Sequence, residues 1–338
     1  MLIIINRYFY SVINTMMEFQ GDRIRDKKEL RIVFMGTPEF AVASLDALTK
    51  SGYNVVAVIT APDKPSGRGM KLNESAVKKY AAEHGLPLLQ PDKLRNPEFI
   101  SALKSLRADL QVVVAFRMLP EIVWNMPPMG TINVHGSLLP RYRGAAPINW
   151  AIINGEKETG VTTFKLQHDI DTGNILLQER IPIGDDETAG QLHDRMKDIG
   201  AALLVKTVDG LLHNTLKEKS QSGLMHPDAD QTILKHAPKI FTETCRIDWN
   251  QPVDRIYDLI RGLSPYPAAF TMLDGKTVKI FGCKKSQQQP TQPAGSHATD
   301  GKTFLRFFAS DGYIDITDLQ AEGKKRMAVA DFLRGYRL

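Results

Sequence analysis

Arg31-Ile-Val-Phe-Met-Gly-Thr-Pro-Glu-Phe40 reads as a strand that turns into a helix. The apolar, partly β-branched run from Arg31 to Met35 suits a strand, Gly36 ends it, and Phe40, Leu45 and Leu48 follow at helical spacing. The unit recurs downstream. Val55 to Ile59 repeats the strand pattern, Ser75 to His84 reads as a helix, and Leu86 to Leu89 as a short strand pinned by Pro87 and Pro91. Pro97 to Leu106 is a helix, and Leu110 to Ala115 is a nearly unbroken apolar run, as a strand buried on both faces of a parallel sheet requires. This alternation predicts an α/β domain with a Rossmann-like, doubly wound, mostly parallel sheet. Thr131 to His135 adds a strand, Pro147 to Asn154 a helix, Gly160 to Gln167 with Ile175 to Ile181 a strand pair, and Thr188 to Leu212 a closing helix.

Past that helix, Lys217 to Lys239 is polar, contains proline and lacks periodicity, so it reads as a linker. Helical spacing returns at Val253 to Ile260. Strand-like runs at Ala269 to Leu273, Thr277 to Phe281, Thr303 to Ala309 and Tyr313 to Leu319 then predict a small β-barrel. Gln287 to Ser296 is low-complexity and is expected to be a mobile loop. The expected divisions are an N-terminal extension over 1–28, poorly ordered, an α/β domain over 29–216, a linker over 217–238 and the barrel over 239–338.

Length agrees with this division, since 338 residues at about 150 per domain give two domains. With 43% apolar and 24% charged residues, wholesale disorder, collagen-like repeats and coiled coil are excluded. The two cysteines, Cys245 and Cys283, lack CxxC spacing, which rules out a disulfide framework or cysteine-rich zinc site and suits a reducing cytoplasm. No apolar run approaches the roughly 18 residues that span a bilayer, so no membrane role is expected. Leu2 to Ile5 is interrupted by Arg7 and no small-residue cleavage site follows, which disfavours a secretory signal. An extended start, with Met16 or Met17 as the true one, explains this segment better than an organellar transit peptide. The net charge is +5, of which +4 lies from Lys239 onward, where 15 Lys and Arg face 11 Asp and Glu. A basic appended domain suits a polyanion such as RNA, although a solvated surface has the same look.

The turn Gly36-Thr-Pro-Glu-Phe40 is neither GxGxxG nor GxxxxGK[ST], so a dinucleotide or ATP site is disfavoured, and a tight turn with Pro38 at the first helical position accounts for it. Asn133-Val-His135 is more informative. Residues two apart on a strand share a face, so an amide and an imidazole project together at the strand's C-terminal end, where open α/β sheets bind ligands. Gly136-Ser137 then lets the backbone turn away. On its own the pair is more often structural, each side chain satisfying a backbone group.

The longer string Gly130-Thr-Ile-Asn-Val-His-Gly-Ser-Leu-Leu-Pro-Arg-Tyr-Arg-Gly-Ala-Ala-Pro147, with Asp171-Thr-Gly173 downstream, resembles the signature of the folate-dependent formyltransferases. With Gly36-Thr-Pro-x-Phe40 and Pro62-Asp-Lys-Pro-Ser-Gly-Arg-Gly69 it resembles the branch of that family that acts on a charged tRNA, and the likeness runs from Arg31 to the C-terminus. The resemblance implies transfer of a formyl group from 10-formyltetrahydrofolate to the α-amino group of methionyl initiator tRNA. It makes Asn133, His135 and Asp171 catalytic, places Ser137, Leu138, Leu139 and Pro140 at the folate, and puts Arg68 on a loop approaching the tRNA. It further implies an OB-like fold for the basic C-terminal domain, no metal and no nucleotide cofactor, and the chain is expected to act as a monomer.

The residue types suit that chemistry. Attack of an amine on a formyl carbon builds negative charge on oxygen, which Asn133 and a protonated His135 can meet, while Asp171 orients the imidazole and takes the amine proton. Two departures from the family pattern stand out: Asp169 where a glycine is usual, and Ala115-Phe-Arg-Met-Leu-Pro120 in place of an Ala-Tyr-Gly approach to Leu-Pro. His168 and Asp169 beside Asp171 suggest a metal site that the resemblance discounts. The rival readings are a formyltransferase for a small amine such as an amino sugar-nucleotide, an inactive RNA-binding protein, and, more remotely, a dehydrogenase.

Overall fold

The computed structural model describes residues 26–66, 71–224 and 235–335; Arg68 and nearly all of the N-terminal extension lie outside them. Strand β1 (Arg31–Gly36) leads into helix α1 (Glu39–Lys50), and β2 (Asn54–Ile59) follows. Pro38 caps α1 rather than opening it, since its backbone is still extended. A short hairpin, β3 (Lys64–Ser66) with β4 (Lys71–Asn73), precedes α2 (Ala76–Glu83), β5 (Leu88–Leu89), α3 (Pro97–Ser105) and β6 (Leu110–Val114). Then come α4 (Glu121–Trp124), β7 (Thr131–His135), α5 (Pro147–Ile153), β8 (Glu158–Lys165), β9 (Ile175–Pro182) and α6 (Ala189–Leu212).

These seven main strands form one sheet in the order β5-β2-β1-β6-β7-β8-β9. It is parallel from β5 to β7 and antiparallel from β7 to β9. Strand period explains how it is covered on both sides. Ile32 and Phe34 join the core that α1 and α6 complete, while Val33 and Met35 join a second core with Phe99, Leu103 and Val123 on the opposite face. Helix α6 starts cleanly because Thr188 and Gln191 form a capping box.

The C-terminal unit comprises α7 (Val253–Leu263), β10 (Ala269–Leu273), β11 (Lys276–Ser286), β12 (His297–Thr299), β13 (Leu305–Phe308), β14 (Tyr313–Ala321), β15 (Met327–Ala328) and α8 (Val329–Gly335). Its antiparallel sheet runs β10-β11-β14-β13-β12, with β15 beside β14, a half-barrel where a small OB-like β-barrel is expected. Trp249 stacks on Phe307 with ring centroids 4.7 Å apart at its centre. The low-complexity run 287–296 joins β11 to β12; Tyr313 donates to Gln288 and Gly295 to the Phe308 carbonyl.

The two units share a polar seam. Arg261 on α7, 4% exposed, pairs with Asp258 at 2.7 Å and donates to the carbonyls of Gly184 (3.3 Å) and Glu187 (3.1 Å) in the loop before α6. Tyr257 donates to Asp186, and Asn149 on α5 donates to the Gly262 carbonyl. Removing one member of a buried ion pair strands its partner, so Arg261→Ala is expected to cost about 3 kcal/mol. A fall in melting temperature of the full chain will register it, and an unchanged value would show the seam to be dispensable.

Candidate active site

The site lies where the sheet changes from parallel to antiparallel, at the end of β7. Ile132 and Val134 point into the α6 core. Asn133 and His135 therefore face the other way. Asn133 is half-buried between Val113 on β6 and Phe164 on β8, and its amide makes no hydrogen bond among the described residues. His135 is 7% exposed and meets the edge of Phe164.

One contact decides the state of that imidazole. His135 Nε2 lies 2.9 Å from the Tyr142 carbonyl oxygen, and a carbonyl only accepts, so Nε2 carries the hydrogen. Nδ1 is left facing Asp171 Oδ2 at 3.8 Å, an ion-pair distance too long for a direct hydrogen bond. Tyr142 presents its carbonyl this way because its backbone is left-handed, φ 59°, unusual for so bulky a residue. Its N–H donates to the Lys235 carbonyl at 2.6 Å and its phenol to Glu156 at 2.7 Å, which hold it there. Burial and the Glu156 carboxylate push that phenol's pKa well up.

Asp171 is also left-handed, φ 55°, and its Oδ2 accepts from the Gly144 backbone N–H at 2.9 Å. Burial lowers the pKa of the neighbouring Arg143 guanidinium, and the Asp171 carboxylate pulls the other way. That couples a cation to the carboxylate from behind. Gly144 has φ +124°, and a Cβ there would lie 2.4 Å from the Ala237 carbonyl, so only glycine brings this N–H to Asp171.

The other expected residues are placed differently from one another. Ser137 is fully buried and donates to the Arg141 carbonyl at 2.7 Å. Leu139 turns inward against Phe164 and Ile175, its N–H on Thr162, while Leu138 covers Gly160 and Pro140 is half-buried. His168 and Asp169 are exposed, and no group of three His, Cys, Asp or Glu side chains among the described residues could hold a metal ion. The departure at 115–120 is anchored by Arg117, which donates to the carbonyls of Pro91 and Asp92. Arg68 follows β3 and precedes β4 in the chain, outside the described residues.

The segment read as a linker does more than connect. Lys219 pairs with Ile175 through its backbone, Gln221 reaches under the Asp171 turn, and Ala237 bridges Gly144. Lys235, Arg141 and Tyr142 all reach Oε1 of Glu156, at 2.8, 2.5 and 2.7 Å. Nothing in an aperiodic polar stretch announces such contacts.

Once this geometry is in place, comparison with known proteins gives a consistent result. The chain belongs to the formyl transferase family: its model matches residues 30–208, and the model of the formyl transferase C-terminal domain matches 239–337. The chain is 55% identical over 317 residues to the methionyl-tRNA formyltransferase of Bacteroides fragilis, covering 92% of this chain and 97% of that one. It is 50% identical over 320 residues to the methionyl-tRNA formyltransferase of Porphyromonas gingivalis, with the same coverage. Among solved structures, an N-formyltransferase from Helicobacter canadensis shares the fold with a TM-score of 0.62 at 19% identity, over 88% of this chain and 99% of that one.

Two predictions follow from the geometry. Gly144→Ala would combine a backbone clash with left-handed strain, costing about 3 kcal/mol, and should also cut formyl-transfer turnover at least tenfold by displacing the N–H that holds Asp171. Wild-type turnover and stability would contradict the assigned role of that close approach. For Glu156, burial alone would raise the carboxyl's pKa, but Lys235, Tyr142 and Arg141 bring it below its ordinary value of 4.5. A carboxyl depressed on folding contributes stability above its ordinary value and loses it as pH falls through the depressed one. Glu156→Gln should therefore be less stable than wild type by about 1–2 kcal/mol at pH 7, with the difference shrinking below pH 4.5. Thermal melts from pH 3 to pH 8 will show whether the gap closes on the acid side.

Proposed function

We propose that this chain transfers the formyl group of 10-formyltetrahydrofolate to the α-amino group of methionyl initiator tRNA. The observation that carries the reaction is the arrangement of three groups at the end of β7: an Asn133 amide with no hydrogen-bond partner among the described residues, an imidazole with one nitrogen committed to the Tyr142 carbonyl, and Asp171 facing the other nitrogen. Identity above 50% with the Bacteroides fragilis enzyme along nearly the whole of both chains supports the acceptor.

The residues present fit such a pair of substrates. When bound, the folate supplies an activated formyl carbon for the amine to attack and a nitrogen that leaves as tetrahydrofolate, taking the proton that the amine gives up. The Asn133 amide and an imidazolium Nδ1–H on His135 are donors for the oxygen on which negative charge develops, set in place before the reaction rather than recruited during it. Asp171, steadied by the Gly144 N–H and with Arg143 behind it, keeps the imidazole oriented and accepts the proton the amine loses, directly or through one water. The stretch 137–140 supplies the wall for the folate, its Ser137 and Leu139 side chains turned inward and its backbone held by Thr162 and Gln178. Arg68 and the C-terminal domain, with its +4 charge, are the contacts for tRNA, the charge giving a salt-sensitive share of the affinity. The chain works in the cytoplasm, as a monomer; no helix among the described residues is long and apolar enough to cross a membrane.

Initial rates on methionyl initiator tRNA, with uncharged and elongator tRNA as controls, test the proposal directly. His135→Ala and Asn133→Ala should each lower kcat about 10²- to 10³-fold with little change in folate affinity, and Asp171→Asn at least as much. A folded variant with wild-type turnover would remove that residue from the mechanism. Equal rates on all three tRNAs would refute the acceptor.

A further inference from the structure

The Asp171 turn takes its shape from a side chain outside both stretches matched by the family. Gln221 lies between residue 208, where the first match ends, and residue 239, where the second begins. It is 2% exposed. Its Nε2 donates to the carbonyl oxygens of Asp171 (2.9 Å) and Gly173 (2.8 Å), and its Oε1 accepts from Nε (3.1 Å) and Nη2 (2.6 Å) of Arg143. Both amide hydrogens and both lone pairs are thus used. The backbone of Lys219 exchanges two hydrogen bonds with Ile175, at 2.8 and 2.9 Å, which fixes where Gln221 enters.

The partners of this amide make it more than filling. Asp171 holds a left-handed backbone that costs a residue bearing a Cβ, and its carbonyl is one of the two that Gln221 grips. Arg143 directly precedes Gly144, whose N–H fixes the Asp171 carboxylate. One amide therefore clamps together the loop that supplies the carboxylate and the loop that supplies both its N–H donor and its nearby cation. Among the described hydrogen bonds, the one other side chain that joins the two loops is Asp171 itself, through the Gly144 N–H.

We propose that Gln221 is a positioning residue for the formyl-transfer site, contributed by the segment between the two domains, and that it acts through Asp171. The proposal rests on Asp171 being the group that serves the amine and the imidazole. A buried amide that merely braces the fold would cost stability and activity without regard to Asp171; a positioning amide loses its effect once Asp171 has lost its function. A double-mutant cycle separates the two.

The experiment measures kcat and KM on methionyl initiator tRNA for wild type, Gln221→Ala, Asp171→Asn and the double variant, with thermal melts for each. Gln221→Met, similar in volume and without hydrogen-bonding groups, is measured in parallel in case the alanine variant does not fold. The expected result is a 10- to 100-fold loss of kcat for Gln221→Ala or Gln221→Met, KM values within threefold of wild type, and less than a twofold further change when Asp171 is already Asn. Equal losses in both backgrounds, or unchanged kcat in a folded Gln221 variant, would overturn the proposal. Should Asp171→Asn itself turn over at the wild-type rate, the catalytic reading of Asp171 falls and takes this inference with it. A slow Asp171→Asn beside full-speed Gln221 variants would overturn this inference alone.

Discussion

A single hydrogen bond, from His135 Nε2 to the carbonyl of Tyr142, organises the candidate site at the end of β7. Because its acceptor cannot donate, it chooses the tautomer, aims the ring, and leaves one nitrogen for chemistry. Tyr142 can offer that carbonyl only from a backbone conformation that a bulky side chain resists. Structure around it opposes relaxation: Glu156 gathers the phenol and two cations, and Lys235 receives the backbone N–H. Local strain is thereby balanced by contacts drawn from three separate parts of the chain.

Position within the sheet matters as much as the contact itself. β7 is the last parallel strand and the first antiparallel one, so its C-terminal end is bordered by β6 ending beside it and β8 beginning beside it. A two-residue period sends Val134 into the α6 core and leaves Asn133 and His135 on the face where the loops gather. An apolar framework on one side of a strand thus fixes polar groups on the other without any side chain having to move.

The parts of this architecture legible in the residues are those that advertise themselves locally. A strand covered on both faces is a nearly unbroken apolar run, and so β1 and β6 are legible from Arg31 and Leu110 onward. The hairpin of β3 and β4, the three-residue β12, the two-residue β15 and the helices α4 and α8 are not legible there, since short elements carry too little periodicity to distinguish them from loops. At the site, Asn133, His135 and Asp171 stood out through motif and residue type. Tyr142 lay in the same string, but its contribution is a carbonyl, which every residue possesses. Gln221 gives no signal at all, because its importance comes from four hydrogen bonds to three residues distant in the chain and not from anything beside it. The polar run that reads as a tether is, at both of its described ends, part of the wall around the carboxylate.

The seam built on Arg261 has a consequence for how a large acceptor would be read. Its guanidinium ties α7 to carbonyls of the α/β domain, Tyr257 and Asn149 add further ties, and Ile153 from α5 is part of the C-terminal core. Two units joined in this way meet any partner with their spacing already set, so the entropy of aligning them is lost at folding and not again at each encounter. The gap between the half-barrel and His135 then acts as a gauge of fixed length. For the proposed acceptor, that fixed length would add a requirement on distance to every requirement on chemistry.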